Sequence, residues 1–82
     1  MTETQVREKV RAFILSNFYV ADPSVLKDEM SLLDAGIVDS TGVLEVITFL
    51  EGEFSFTVAD KEMVPDNLDA VNHITKYVLS KT

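Results

Sequence analysis

"GIVDSTGVLEVITFLEGEF", residues 36–54, decides the fold. At ~100° per residue, Val43, Val46, Ile47, Phe49, Leu50 and Phe54 fall on one broad side of a helix. Thr41, Glu45, Thr48 and Gly52 take the other side, with Leu44 and Glu51 at the boundary beside Ser40. The pattern predicts an amphipathic helix from about Ser40 to Glu53. Its start is weak. Gly42 stands in the first turn, where glycine costs ~1 kcal/mol relative to alanine. Two readings fit this start. Asp39 or Ser40 is an ordinary N-cap, or the Ser40 hydroxyl is held out for use and Gly42 clears room beside it.

Working outward, Val6, Val10, Phe13, Ile14 and Phe18 recur at helical spacing, and Thr2 with Gln5 fits a capping box. A first helix is expected from about residue 3 to 18. A long connection follows, with Pro23 and the turn glycine Gly36. Val25, Leu26, Leu32, Leu33 and Ile37 are the residues available to pin it. Residues 60–64 suggest a short helix stopped by Pro65, and Asp69 is placed to cap a last helix ending near Ser80. In that helix Leu68, Val71, Ile74 and Val78 share a face. "FSFTV", residues 54–58, alternates like a strand but has no partner strand. The expected fold is all-α, a single domain over residues 1–82: a small bundle of three main helices plus one short helix, with a long loop between helices one and two.

Composition narrows the function classes. Residues 28–69 hold eleven acidic residues against Lys61 alone, a local charge of −10 within a chain of net charge −7. Such a surface repels nucleic acid phosphates and attracts basic partners. No apolar run reaches the ~20 residues of a bilayer span, and no signal peptide pattern is present. With no cysteine the protein has no thiolate nucleophile and no cysteine-bound zinc, and a reducing cytoplasmic setting is the simplest expectation. His73, the one histidine, projects away from the last helix's apolar face and has no serine–acid motif around it. "KDE" at 27–29 and "DKE" at 60–62 lack calcium-loop spacing and are read as solvated charge. Arg7, Lys9 and Arg11 are read as solvating helix one, and Met30 and Met63 as packing residues. No catalytic or metal-binding residue is expected.

The segment 36–54 resembles the modification-site segment of acyl carrier proteins: a glycine, two residues, Asp-Ser, then an amphipathic helix ending in Glu-Phe. "SLLDAGIVDS" is similar to that family's approach loop, and "FTVADKEMVPDNLDAVNHITKYV" to its third and fourth helices. The resemblance implies that Ser40 carries a 4′-phosphopantetheine arm from coenzyme A, attached by a phosphopantetheinyl transferase. Acyl or aminoacyl cargo then hangs from the arm's thiol as a thioester, and the chain is not an enzyme. The partners implied are that transferase, a loading ligase and downstream transferases with basic docking patches. Nucleic acid binding and membrane insertion are not expected, and a monomer is. Fatty-acid carriers usually have Ser-Leu-Asp where this chain has Ser40-Thr41-Gly42. The glycine is similar to D-alanyl carrier proteins and stand-alone aminoacyl carriers, which implies a specialised cargo.

Asp39, Thr41, Leu44, Glu45, Thr48 and Glu51 form the expected partner-binding surface around Ser40. Leu44 either anchors a partner or packs on the loop before Gly36. The large Phe49 and Phe54 predict little interior room for a long acyl chain. The alternative function is an acidic helical interaction module that uses the same helix face without a prosthetic group.

Overall fold

The computed structural model describes residues 2–82. Four α-helices form the bundle: α1 (Glu3–Asn17), α2 (Ser40–Phe54), the single-turn α3 (Pro65–Leu68) and α4 (Val71–Lys81). Single turns of 3₁₀ helix occur at Pro23–Val25 and Asp60–Glu62. No strand is present among the described residues. Residues 54–58 follow no ladder; Phe56 is half-buried and Val58 buried against the core.

α1 begins with the capping box the sequence predicts. Gln5 N–H donates to Thr2 Oγ1 at 3.2 Å, and Thr2 N–H donates to Gln5 Oε1 at 2.9 Å. Its buried stripe is Val6, Val10 and Ile14. α1 packs chiefly on α4, which buries Val71, Ile74, Thr75, Tyr77 and Val78. Thr75 is tolerated there because its hydroxyl donates to Val71 O at 2.8 Å. α2 buries Val46, Ile47, Leu50 and Phe54, with Val43 and Phe49 half-buried beside them. It ends on Ser55 in the left-handed region, φ 58°.

The connection from α1 to α2 is pinned by a different set of apolar residues from the one expected: Val20, Met30 and Val38 join in. Leu26 and Leu32 are buried and Ile37 is partly so, but Val25 and Leu33 are exposed. Gly36 makes its turn at φ +73°, a backbone angle that glycine adopts without cost. Polar ties complete the pinning. Arg11 donates to Asp28 Oδ1 at 2.7 Å and to Leu26 O at 2.8 Å, and Asn72 N–H donates to Asp28 O at 2.9 Å. Arg11 therefore holds the loop rather than merely solvating α1, and Asp28, also 3.6 Å from Arg7 Nε, is paired rather than free.

Three local expectations are overturned. Pro65 opens α3 instead of stopping a helix, because its missing N–H falls at a position that needs no helical bond. The residues before it make only the Asp60–Glu62 turn. Asp69 does not cap α4; Ala70 stands there without a side-chain bond, and the Asp69 carboxylate turns to the distant loop instead. Met63 lies exposed at 39 %, not packed in the core, whereas Met30 does pack against it.

Candidate functional site

Asp39, not Ser40, caps α2. The Asp39 carboxylate accepts from Gly42 N–H at 2.6 Å, and Asp39 O accepts from Val43 N–H at 3.0 Å. Ser40 is thus the first residue inside the helix. It is exposed, and its hydroxyl makes no hydrogen bond among the described residues. Asp39, Ser40 and Thr41 have N–H groups without an intrahelical acceptor, so this end of the 15-residue helix carries donors and the positive end of its dipole.

Gly42 serves a different purpose from the one its place suggests. It is buried, and a Cβ there would lie 2.7 Å from Phe18 Cε1 and 3.1 Å from Val38 Cγ1. Glycine lets the loop entering α2 press onto the helix; it does not clear space in front of Ser40.

Two hollows flank Ser40. On one side Leu33, Ser40, Val43, Met63, Val64, Pro65, Leu68 and Asp69 enclose a half-open cleft of about 250 Å³. Its outer wall, Met63–Val64–Pro65, is held from behind by Glu62. That carboxylate accepts from Lys81 Nζ at 2.9 Å, Tyr77 Oη at 3.0 Å and Ala59 N–H at 3.2 Å. The Lys81 bond, then the Ala59 N–H, hold the Glu62 carboxyl below its ordinary range. Burial, reinforced by Glu62, pushes the Tyr77 phenol up to about 12.

On the other side Thr41, Leu44, Glu45 and Thr48 border an open groove floored by Phe13 and Phe49. Those two rings stack at 4.2 Å, and Phe49 also meets Phe54 edge-on at 6.0 Å. Leu44 is 61 % exposed, so it does not pack on the loop. The aromatic stack forms the floor of the α1–α2 side, and the α2–α3 side opens into the cleft.

Of the residues expected to meet partners, Thr41, Leu44, Glu45 and Thr48 share the groove, and Asp39 adjoins it in a hollow with Thr41 and Glu45. Thr48 points its hydroxyl back to Leu44 O at 3.0 Å. Glu51 is half-buried and accepts from Val58 N–H at 2.9 Å, an internal task that the boundary position did not reveal. The cleft residues Leu33, Met63, Val64 and Pro65 escaped sequence reasoning. Their one signal is the apolar run Met63–Val64–Pro65, which has no helical partner positions.

The bases Arg7, Lys9, Arg11 and Lys81 pair with Glu3, Asp28, Glu53 and Glu62. Asp39 and Glu45 near the start of α2, and Glu51 near its end, have no cationic partner among the described residues, so unpaired negative charge runs along the helix. No group of three or more His, Cys, Asp or Glu side chains able to hold a metal ion occurs among the described residues. No described helix is long and apolar enough to cross a membrane. His73 is exposed on α4.

A helical bundle that offers an unengaged serine at the start of α2, near a cleft and a groove that carries Glu45, agrees with the acyl carrier resemblance of the sequence. No family model matches the chain. It is 38 % identical over 61 residues to the D-alanyl carrier protein of Streptococcus mutans, covering 74 % of this chain and 76 % of that one. It is 35 % identical over 66 residues to the D-alanyl carrier protein of Streptococcus suis, covering 80 % and 82 %. With that of Streptococcus thermophilus the identity is 35 % over 65 residues, covering 79 % and 81 %. The chain belongs to the acyl carrier protein family, on its D-alanyl carrier side.

Proposed function

We propose that this carrier protein holds small aminoacyl or acyl groups as thioesters on a 4′-phosphopantetheine arm attached to Ser40, and delivers them to partner enzymes. The observation that carries the proposal is the division of labour at α2: Asp39 does the capping, which leaves the Ser40 hydroxyl exposed with no structural task. A phosphate joined to that oxygen sits at the helix's positive end, beside free N–H groups. In the attachment step the serine oxygen forms a phosphodiester, its proton leaves, and the nucleotide half of coenzyme A departs. The arm supplies the thiol that this cysteine-free chain lacks.

D-alanyl is the favoured cargo, from the relatives' printed name and from Gly42 two residues after the serine. The half-open cleft beside Ser40 suits a short group better than a long chain. Its partners are a phosphopantetheinyl transferase, a loading ligase and acceptor enzymes with basic patches, which the unpaired carboxylates Asp39 and Glu45 complement. On this reading residues 1–82 work as one cytoplasmic, monomeric carrier domain with no catalysis of its own.

The test is intact-mass measurement after incubation with coenzyme A and a broad-specificity phosphopantetheinyl transferase. The native chain gains one phosphopantetheine, and Ser40→Ala gains none. A native chain that gains no mass rejects the arm and leaves an acidic interaction module.

A further inference from the structure

Just before Ser40, where Leu32 and Val38 are buried, the loop is also bonded to one residue from the other end of the chain. Asp69, at the corner between α3 and α4, accepts the Leu33 N–H on Oδ1 at 2.9 Å and the Ser31 hydroxyl on Oδ2. Its main-chain carbonyl accepts the Leu32 N–H at 2.7 Å. Three successive loop residues are thus bonded to one aspartate. The load passes on without a gap. Ser31 Oγ accepts from Asp34 N–H at 3.1 Å, and Leu32 O accepts from Ile37 N–H at 3.1 Å and Val38 N–H at 3.2 Å. Val38 is buried, and the next two residues are the helix cap Asp39 and Ser40 itself. Asp69 also lines the cleft that Ser40 borders.

We infer that Asp69 is a positioning residue for Ser40: by gripping Ser31 and Leu33 it fixes the serine's loop to the α3–α4 corner, in the register that partner enzymes recognise. The inference rests on Ser40 being the attachment site. Removing the carboxylate frees one exposed N–H and one half-buried hydroxyl, both of which water can satisfy, so the loop loosens while the helical core stays folded. A loosened loop presents the serine correctly only part of the time, and apparent affinity falls by that fraction.

The test compares the native chain with Asp69→Ala and Asp69→Asn as substrates of the transferase, alongside hydrogen exchange. Asp69→Ala is expected to raise KM about tenfold with kcat within about twofold, the signature of a lowered competent fraction. It also speeds exchange at Leu33, Ile37 and Val38 but not at Val10 or Ile14. Asp69→Asn restores KM to within about twofold of native, because the amide oxygen accepts from Leu33 N–H while its NH₂ donates to Ser31 Oγ. Native KM in Asp69→Ala, or an Asn variant as poor as the Ala variant, overturns the inference. A native chain that is never modified rejects the attachment site instead, and unchanged exchange at Leu33, Ile37 and Val38 in Asp69→Ala then rejects the loop tie separately.

Discussion

The α1–α4 seam and the rim around Ser40 are built on opposite principles. Along the seam Val6, Val10, Ile14, Val71, Ile74 and Val78 are at most 1 % exposed. Around Ser40, Leu33, Leu44, Met63 and Val64 are 39–61 % exposed, and the chain there is tied by hydrogen bonds to Asp69, Glu62 and Glu51. Burying every apolar atom of one seam gives the domain its stability, which lets the rim keep apolar surface facing water for partners or cargo. On the proposed reading, stability and function are separated in space.

The largest expected effect lies in the seam. Ile74→Ala should cost ~2–5 kcal/mol, since α4 has no slack to close the cavity. Ser40→Ala should cost under ~0.5 kcal/mol, because Asp39 holds the cap. Urea denaturation of both variants measures this. Comparable losses would erase the distinction between seam and rim.

The next effect reads the rim's outer wall through pH. An unfolded tyrosine loses its proton near 10.0, while Tyr77 in the fold keeps its own until about 12. Between those values the folded state binds more protons, so stability falls as pH rises, by on the order of 2 kcal/mol across the window. Below the unfolded value the protonated phenol costs nothing. Tyr77→Phe should be slightly less stable at neutral pH, having lost the bond to Glu62, yet fall less steeply above pH ~10. A variant with the native slope would show that the Tyr77 phenol is not raised in the fold.

Legibility followed the same division. Where one period of buried residues sets the structure, as at Val6-Val10-Ile14 or Val71-Ile74-Val78, the sequence pattern suffices. It failed where a residue serves a partner far along the chain. Asp69 reads locally as a helix cap, but its acceptors are used by residues 36 and 38 positions away. Glu51 reads as a surface acid, and its bond to Val58 depends on how the chain returns after Ser55. Pro65 misled because proline both stops and starts helices, and only the turn before it decides which. The serine stood out in the sequence as a candidate, whereas the cleft beside it is made by residues with no period at all.

Gly42 gives a smaller effect whose sign is informative. In an open first turn, alanine would stabilise α2 by ~1 kcal/mol. Here its Cβ meets the Phe18 ring at 2.7 Å, and Phe18 is itself set edge-on to Phe13 at 6.0 Å. Gly42→Ala should therefore destabilise the domain by ~1 kcal/mol net, with the overpacking outweighing the propensity gain. A rise in melting temperature would mean that the ring moves aside freely, and that the loop before α2 belongs to the rim and not to the packed interior.

The smallest expected stability effect belongs to Leu44, where the functional effect is the point. At 61 % exposure it gains little from the fold, so Leu44→Ala should shift stability by less than ~0.5 kcal/mol and leave helix content unchanged. Its place in the groove with Thr41, Glu45 and Thr48 suits an apolar anchor with polar neighbours and one carboxylate beside it. Truncating such an anchor speeds dissociation, so modification or loading should weaken at every salt concentration. Glu45 lies at the exposed edge of the groove and acts at longer range. Glu45→Lys should slow association with a basic partner at low salt, with the gap to the native chain narrowing as salt approaches ~0.5 M. Kinetics of Ser40 modification across a salt series distinguish the two. If Leu44→Ala instead lowers the melting temperature and leaves partner kinetics alone, the leucine belongs to the stability-bearing side of the molecule and the boundary between seam and rim runs elsewhere.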